Sequence, residues 1–204
     1  MKILCVGAHS DDIEIGCGGT MLRLLTDYPA AEVHWVVLGS SGARDGEATA
    51  SAREFLAGAQ QKTIAVEHFR DGFFPDQWAQ IKECFEEIKR GFSPDLIFTH
   101  YRGDRHQDHR VVSDLTWNTF RDNLVLEYEI MKYDGDLGNP NLFVALDHGT
   151  CRAKVAALLR HFRSQAQHTW FTQDTFMAMM RLRGVECNAH DGHAEAFYCR
   201  KAVL

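Results

Sequence analysis

Apolar residues in this chain fall into short unbroken runs, separated by stretches with helical spacing. Lys2–Gly7 holds the first run, Ile3-Leu4-Cys5-Val6, and Gly7 closes it. A continuous run of this kind, bounded by a turn residue, predicts a strand buried on both faces. Ile15, Met21, Leu22, Leu24 and Leu25 then recur at helix-like intervals, predicting a helix from about Ile15 to Thr26 that stops at Tyr28-Pro29. Val33–Leu38 predicts a second buried strand, with Gly39–Gly42 as the loop after it. Glu47–Gln60, rich in alanine, predicts a helix, and Lys62–Val66 a third strand. Pro75 leads into a predicted helix over Asp76–Arg90, with Trp78, Ile81, Cys84, Phe85 and Ile88 on its apolar face. Asp95–Thr99 reads as a fourth strand, His106 or Gln107 to about Phe120 as a helix, and Leu124–Ile130 as a fifth strand.

The last third is less regular. It predicts a strand at Leu142–Leu146, helices at Thr150–Phe162 and Thr172–Arg183, and a closing strand at Ala194–Cys199, placed at a sheet edge. Short apolar strands alternating with helices imply βαβ units. The expected architecture is α/β: one three-layer, Rossmann-like domain over residues 1–204 with a mostly parallel sheet.

Composition narrows the function classes. A chain of 204 residues with 45% hydrophobic content can bury a sizeable core, which excludes disorder. The net charge of −6 comes with no basic stripe, so no nucleic-acid partner is expected. The N-terminal MKILCVGAHSDD has too short an apolar run for a secretory leader, and no stretch is long enough to span a membrane. The expected location is the cytoplasm. Cys5, Cys17, Cys84, Cys151, Cys187 and Cys199 form no CxxC pair, which fits reduced, partly buried thiols rather than a cysteine zinc site.

Two clusters carry chemistry. Gly7-Ala8-His9-Ser10-Asp11-Asp12-Ile13-Glu14 follows the first strand, and Asp104-Arg105-His106-Gln107-Asp108-His109-Arg110 follows the fourth. Loops past the C-terminal ends of strands form the ligand crevice of an open α/β sheet. One imidazole and three carboxylates within six residues are hard to explain by packing. A catalytic zinc takes three protein ligands and keeps one position for water. His9, Asp12 and His109 supply such a set, leaving Asp11 as a base. Fe2+ or Mn2+ also suits imidazole and carboxylate ligands. Asp108 is a candidate to fix an imidazole tautomer, with His106 as the expected partner. Asp104 has a second reading as a helix cap. Gly16-Cys17-Gly18-Gly19 lacks the G-x-G-x-x-G spacing of a dinucleotide site, and close helix–sheet approach explains it better.

AHSDDIEIGCGG together with HQDH resembles the PIG-L/LmbE family of zinc-dependent N-acetylglucosaminyl de-N-acetylases. The similarity continues loosely through Lys132–Gly138 and Ala194–Phe197. It implies His9, Asp12 and His109 as metal ligands, Asp11 as general base, and a protonated His106 stabilising the oxyanion. Ser10 and Ile13 stand where the family has proline and, often, a carboxylate. A small-molecule amino-sugar substrate is implied, with Asp71 meeting sugar hydroxyls; homo-oligomers are also implied. Trp170, Phe171 and Phe176 are aromatics expected at a subunit surface. Arg53 and Tyr101 are further substrate-contact candidates, Arg44 and Asp45 weaker ones. His190 and His193 fit either a second metal or a solvated turn, the turn being the better fit. Competing functions are an esterase or phosphatase with the same ligands, and an inactive sugar-binding protein.

Overall fold

The computed structural model describes residues 1–203. Strands β1 (Lys2–His9), β2 (Glu32–Gly39), β3 (Gln61–Val66), β4 (Leu96–His100) and β5 (Leu124–Tyr128) run parallel. They belong to a seven-stranded sheet of order β3-β2-β1-β4-β5-β7-β6, completed by β6 (Leu142–Leu146) and β7 (His193–Cys199). β7 runs antiparallel to both β5 and β6. The fold is therefore the expected three-layer α/β architecture with a mixed, mostly parallel sheet.

The layers follow from the period-2 alternation of buried strands. Ile3 and Cys5 of β1 face one core, with Val33, Trp35 and Val37 of β2. Leu4, Val6 and Ala8 face the other. The first core is covered by α1 (Asp12–Asp27), α2 (Ala43–Phe55), α5 (His148–His161) and α6 (Gln173–Glu186). The second is covered by α3 (Trp78–Gly91) and α4 (Gln107–Thr119). The chain leaves β1 toward β2 and β3, then crosses back to β4, so β1 and β4 flank a topological switch point. Both chemical clusters sit there.

Several expectations need correcting. β7 is interior, not an edge; β6 is the edge strand beyond it. α1 begins at Asp12 rather than Ile15, and α2 at Ala43 rather than Glu47, since Gly42 adopts φ 61° and serves as its N-cap. α3 opens with a 3-10 turn at Phe74–Gln77, which leaves Trp78 exposed rather than in the core. Of the three aromatics expected at a subunit surface, Phe171 and Phe176 are buried and Trp170 is half-buried. No helix among the described residues is long and apolar enough to cross a membrane.

Candidate active site

β1 delivers His9 at its last residue, and Asp11 follows as the N-cap of α1. An N-cap aspartate usually accepts from the helix N–H groups through its side chain. The Asp11 side chain makes no such bond and turns to Arg44, whose Nη2 donates to Oδ1 at 2.9 Å. Arg44 reaches it from the first turn of α2. Burial, then repulsion from Asp12, raises the Asp11 carboxyl to about 6, against the pull of Arg44 and His9.

Asp12 is buried in the first turn of α1. Its Oδ2 accepts from the His9 backbone N–H at 2.6 Å and lies 3.2 Å from His100 Nε2. Three electron-pair donors converge here. His9 Nδ1 is 3.3 Å from Asp12 Oδ2, His109 Nε2 is 3.2 Å from His9 Nδ1, and His109 Nε2 is 3.6 Å from Asp12 Oδ2. Tetrahedral zinc with nitrogen and oxygen ligands at about 2.0–2.2 Å separates its ligand atoms by roughly 3.3–3.6 Å. The triangle fits that shape.

The outward ring nitrogens are also fixed. His109 Nδ1 lies 2.9 Å from Asp104 Oδ2, and burial pushes this imidazole down to about 3, so it is neutral. It then donates through Nδ1–H and keeps a lone pair on Nε2. His9 Nε2 lies 3.1 Å from both Asp108 Oδ2 and Asp71 Oδ1. Burial favours the neutral His9 ring, yet Asp12, Asp108 and Asp71 together raise it well above its ordinary value. Carboxylates behind metal-binding imidazoles have this tautomer-fixing role generally.

Asp108 therefore serves His9, not His106 as its sequence position suggested. It also accepts from the Gly72 and Phe74 amides at 2.6 and 3.0 Å, tying the loop after β3 to the site. Asp104 is not the N-cap of α4. That position belongs to His106, whose own N–H donates to Asp104 Oδ1 at 2.7 Å. His106 Nδ1 accepts, at a long 3.3 Å, from the Asp108 amide, so its proton sits on Nε2. Burial and the neighbouring His9 lower its pKa, which favours a neutral donor over the expected imidazolium.

The cleft is lined by His9, Asp11, Asp12, Arg44, Asp71, His106 and His109, and by Ile15, Ile130, Lys132, Gln165 and Trp170. Arg53 is exposed on α2 and does not line it. Tyr101 stacks on Tyr198 at 3.9 Å, away from the cleft. His190 is exposed, His193 packs against His148, and neither joins a metal-type cluster among the described residues. Glu14 is fully buried, does not line the cleft, and has its carboxyl raised to about 8 by burial.

Sequence reasoning missed His100, Lys132 and Gln165, and it placed Trp170 at a subunit surface rather than in the cleft. His100 at the end of β4 stacks on His109 at 3.9 Å and accepts from the Ala8 amide at 2.9 Å. Lys132 bridges Asp104 at 2.9 Å and Asp136 at 2.6 Å. Gln165 and Trp170 come from the irregular last third, which offers no motif to read.

Comparisons with known proteins match the family and the fold. The profile of the family described as PIG-L, GlcNAc-PI de-N-acetylase, matches residues 4–120. That span carries both clusters but not Ile130, Lys132, Gln165 or Trp170. An uncharacterized deacetylase of Escherichia coli K12, YaiS, is 32% identical over 172 residues, covering 78% of this chain and 89% of that protein. The N,N′-diacetylchitobiose deacetylase of Pyrococcus horikoshii superposes with a TM-score of 0.69 at 21% identity, over 96% of this chain and 82% of that one. GalB, a 4-carboxy-2-hydroxymuconate hydratase of Pseudomonas putida KT2440, superposes with a TM-score of 0.72 at 17% identity, over 100% of this chain and 97% of that one. A deacetylase and a hydratase on one fold show that the fold alone does not decide the reaction.

Proposed function

The chain belongs to the PIG-L family of GlcNAc-PI de-N-acetylases, and from that premise we propose that it is a metal-dependent hydrolase that removes the acetyl group from an N-acetylated amino sugar. The observation that carries this reading is the convergence of His9 Nδ1, Asp12 Oδ2 and His109 Nε2 beside an Asp11 carboxylate not used as a cap. We take those three residues as the ligands and zinc as the ion, with Fe2+ and Mn2+ suited to the same donor set. A divalent ion held by these three residues would supply polarisation of the amide carbonyl and a more acidic water.

The remaining steps belong to the side chains. Asp11 accepts the proton of the attacking water, with Arg44 holding its Oδ1. The same carboxyl then delivers a proton to the departing amine, so that the amine leaves neutral. His106 donates Nε2–H to the oxygen that becomes negative in the tetrahedral intermediate. Asp71 and Arg44 border the cleft where sugar hydroxyls need acceptors and donors, while Trp170 gives an apolar wall. Arg53 and Tyr101 have no part in this scheme.

The test uses zinc-loaded protein and N-acetylglucosamine conjugates. Free amine is expected from the parent chain. D11N should keep its zinc and lose about 10²–10⁴-fold in rate, the usual contribution of a general acid–base group. Full activity in D11N would remove Asp11 as the base. H109A should lose most of its zinc, and equal zinc in H109A and parent would remove His109 from the ligand set. Phosphate release from phosphomonoesters without amine release would assign the site to another reaction.

A further inference from the structure

A buried charged pair outside the cleft grips the helix that presents the two site carboxylates. Lys154 of α5 and Glu195 of β7 are joined at 2.6 Å and are 3% and 4% exposed. Lys154 Nζ also donates to the Ile15 carbonyl at 2.6 Å. Glu195 Oε1 accepts from the Gly19 amide at 2.8 Å, and Oε2 from the Thr20 amide at 2.6 Å. Ile15 C=O and Gly19 N–H are the i and i+4 partners of one helical rung. Here each is also held by one member of the pair, so the pair is clamped onto α1 at that rung.

The position of that rung gives it a function. Asp12 opens the first turn of α1, Ile15 ends that turn and begins the rung, and both line the cleft. Asp11 is the cap of the same turn, and its carbonyl accepts from Ile15 N–H at 3.0 Å. Burying two charges is rarely the most stable way to fill a core, and apolar replacements of similar volume are often neutral or stabilising. Gly19 is adapted to the clamp, since a Cβ there would meet Leu146 Cδ1 at 2.6 Å and Glu195 Oε1 at 3.0 Å.

We propose that Lys154 and Glu195 are positioning residues: they fix the first turn of α1 so that Asp12 meets His9 and His109 and Asp11 faces the water. The inference rests on Asp12 being a metal ligand. Functional side chains need placement within about 0.5 Å, and residues that orient a ligand typically carry about 10–100-fold in metal affinity.

The decisive variant is K154M/E195L. It removes both charges together and leaves Ile15 C=O and Gly19 N–H free to pair with each other, so the fold should survive. Zinc affinity is measured by competition with a chromophoric chelator, alongside thermal melting and amine release at saturating zinc. The expected result is a melting temperature equal to or above the parent's, zinc affinity at least about tenfold weaker, and lower kcat with little change in KM. A role in stability alone would leave zinc affinity and kcat within twofold of the parent, and that result overturns the proposal. If the double variant does not fold, E195Q serves instead. Its single acceptor oxygen cannot hold both amides as the carboxylate does, so weaker zinc binding is expected and unchanged binding overturns the proposal. The zinc measurement needs no substrate, so a mistaken substrate class would leave it intact. Zinc retained in H109A would instead indicate that the ligand set is wrong.

Discussion

Asp11 and His106 divide the work of the cleft through opposite electrostatic settings. Burial and Asp12 raise Asp11 to about 6, so the proton-accepting form gains population as pH rises through that value. A bound divalent cation stabilises the carboxylate and moves this limb lower. His106 has its pKa lowered by burial and by His9, which favours its neutral donor form. H106A should therefore keep its zinc and the acidic limb while losing about 10²–10³-fold in kcat, the usual loss for one oxyanion donor. D11N should lose the limb itself. Such limbs are macroscopic, and the two variants together make the assignment. An acidic limb that disappears in H106A would sink this division of roles. His9, Asp11 and Asp12 were legible in the sequence because they lie side by side after a strand. His100 was not, because its meaning depends on β4 pairing with β1, which places it against Asp12. Arg44 outranks Arg53 because α2 starts earlier than its alanine-rich stretch indicates.

The glycines of α1 record how tightly this element is pressed into place. A Cβ at Gly16 would lie 2.2 Å from the Tyr128 ring, and one at Gly18 would lie 2.7 Å from Phe55. Tyr128 cannot easily move away, since it is fully buried and its hydroxyl donates to Val6 O at 2.6 Å. G16A should thus cost about 1–3 kcal/mol, the usual range for overpacking. G46A is the contrasting variant. Gly46 lies within α2, is exposed, and has nothing within 4 Å of an added Cβ. It should gain about 0.4–1 kcal/mol through the unfolded chain. Urea midpoints for the two variants check both signs, and a neutral G16A would mean that α1 can shift. Close helix–sheet approach was readable from the glycine run. The placement of β7 was not. Its alternating His-Ala-Glu-Ala-Phe-Tyr looks like a half-solvated edge, but Glu195 turns inward onto Lys154 and β6 pairs on the outside.

At the scale of the molecule, the crevice at the switch point was predictable from strand–helix alternation, while the strand order depended on crossovers that no local pattern encodes. Stability should be linked to that crevice. His9 Nδ1, His109 Nε2 and Asp12 Oδ2 face one another within 3.6 Å, an arrangement that holds either a proton or a cation. The raised pKa of His9 reflects the proton. A cation must displace it, so metal affinity should fall as pH falls. Zinc at about 100 times its dissociation constant should stabilise the fold by about 2.7 kcal/mol. In a chain of this size that corresponds to roughly 5–10 °C in melting temperature. Melting curves with zinc and with EDTA, at neutral pH and near pH 5, test the linkage. The zinc-dependent rise should be largest at neutral pH and shrink at the lower one. Identical curves in zinc and EDTA at both pH values would mean that the three side chains hold only protons, and the hydrolase reading would lose its centre.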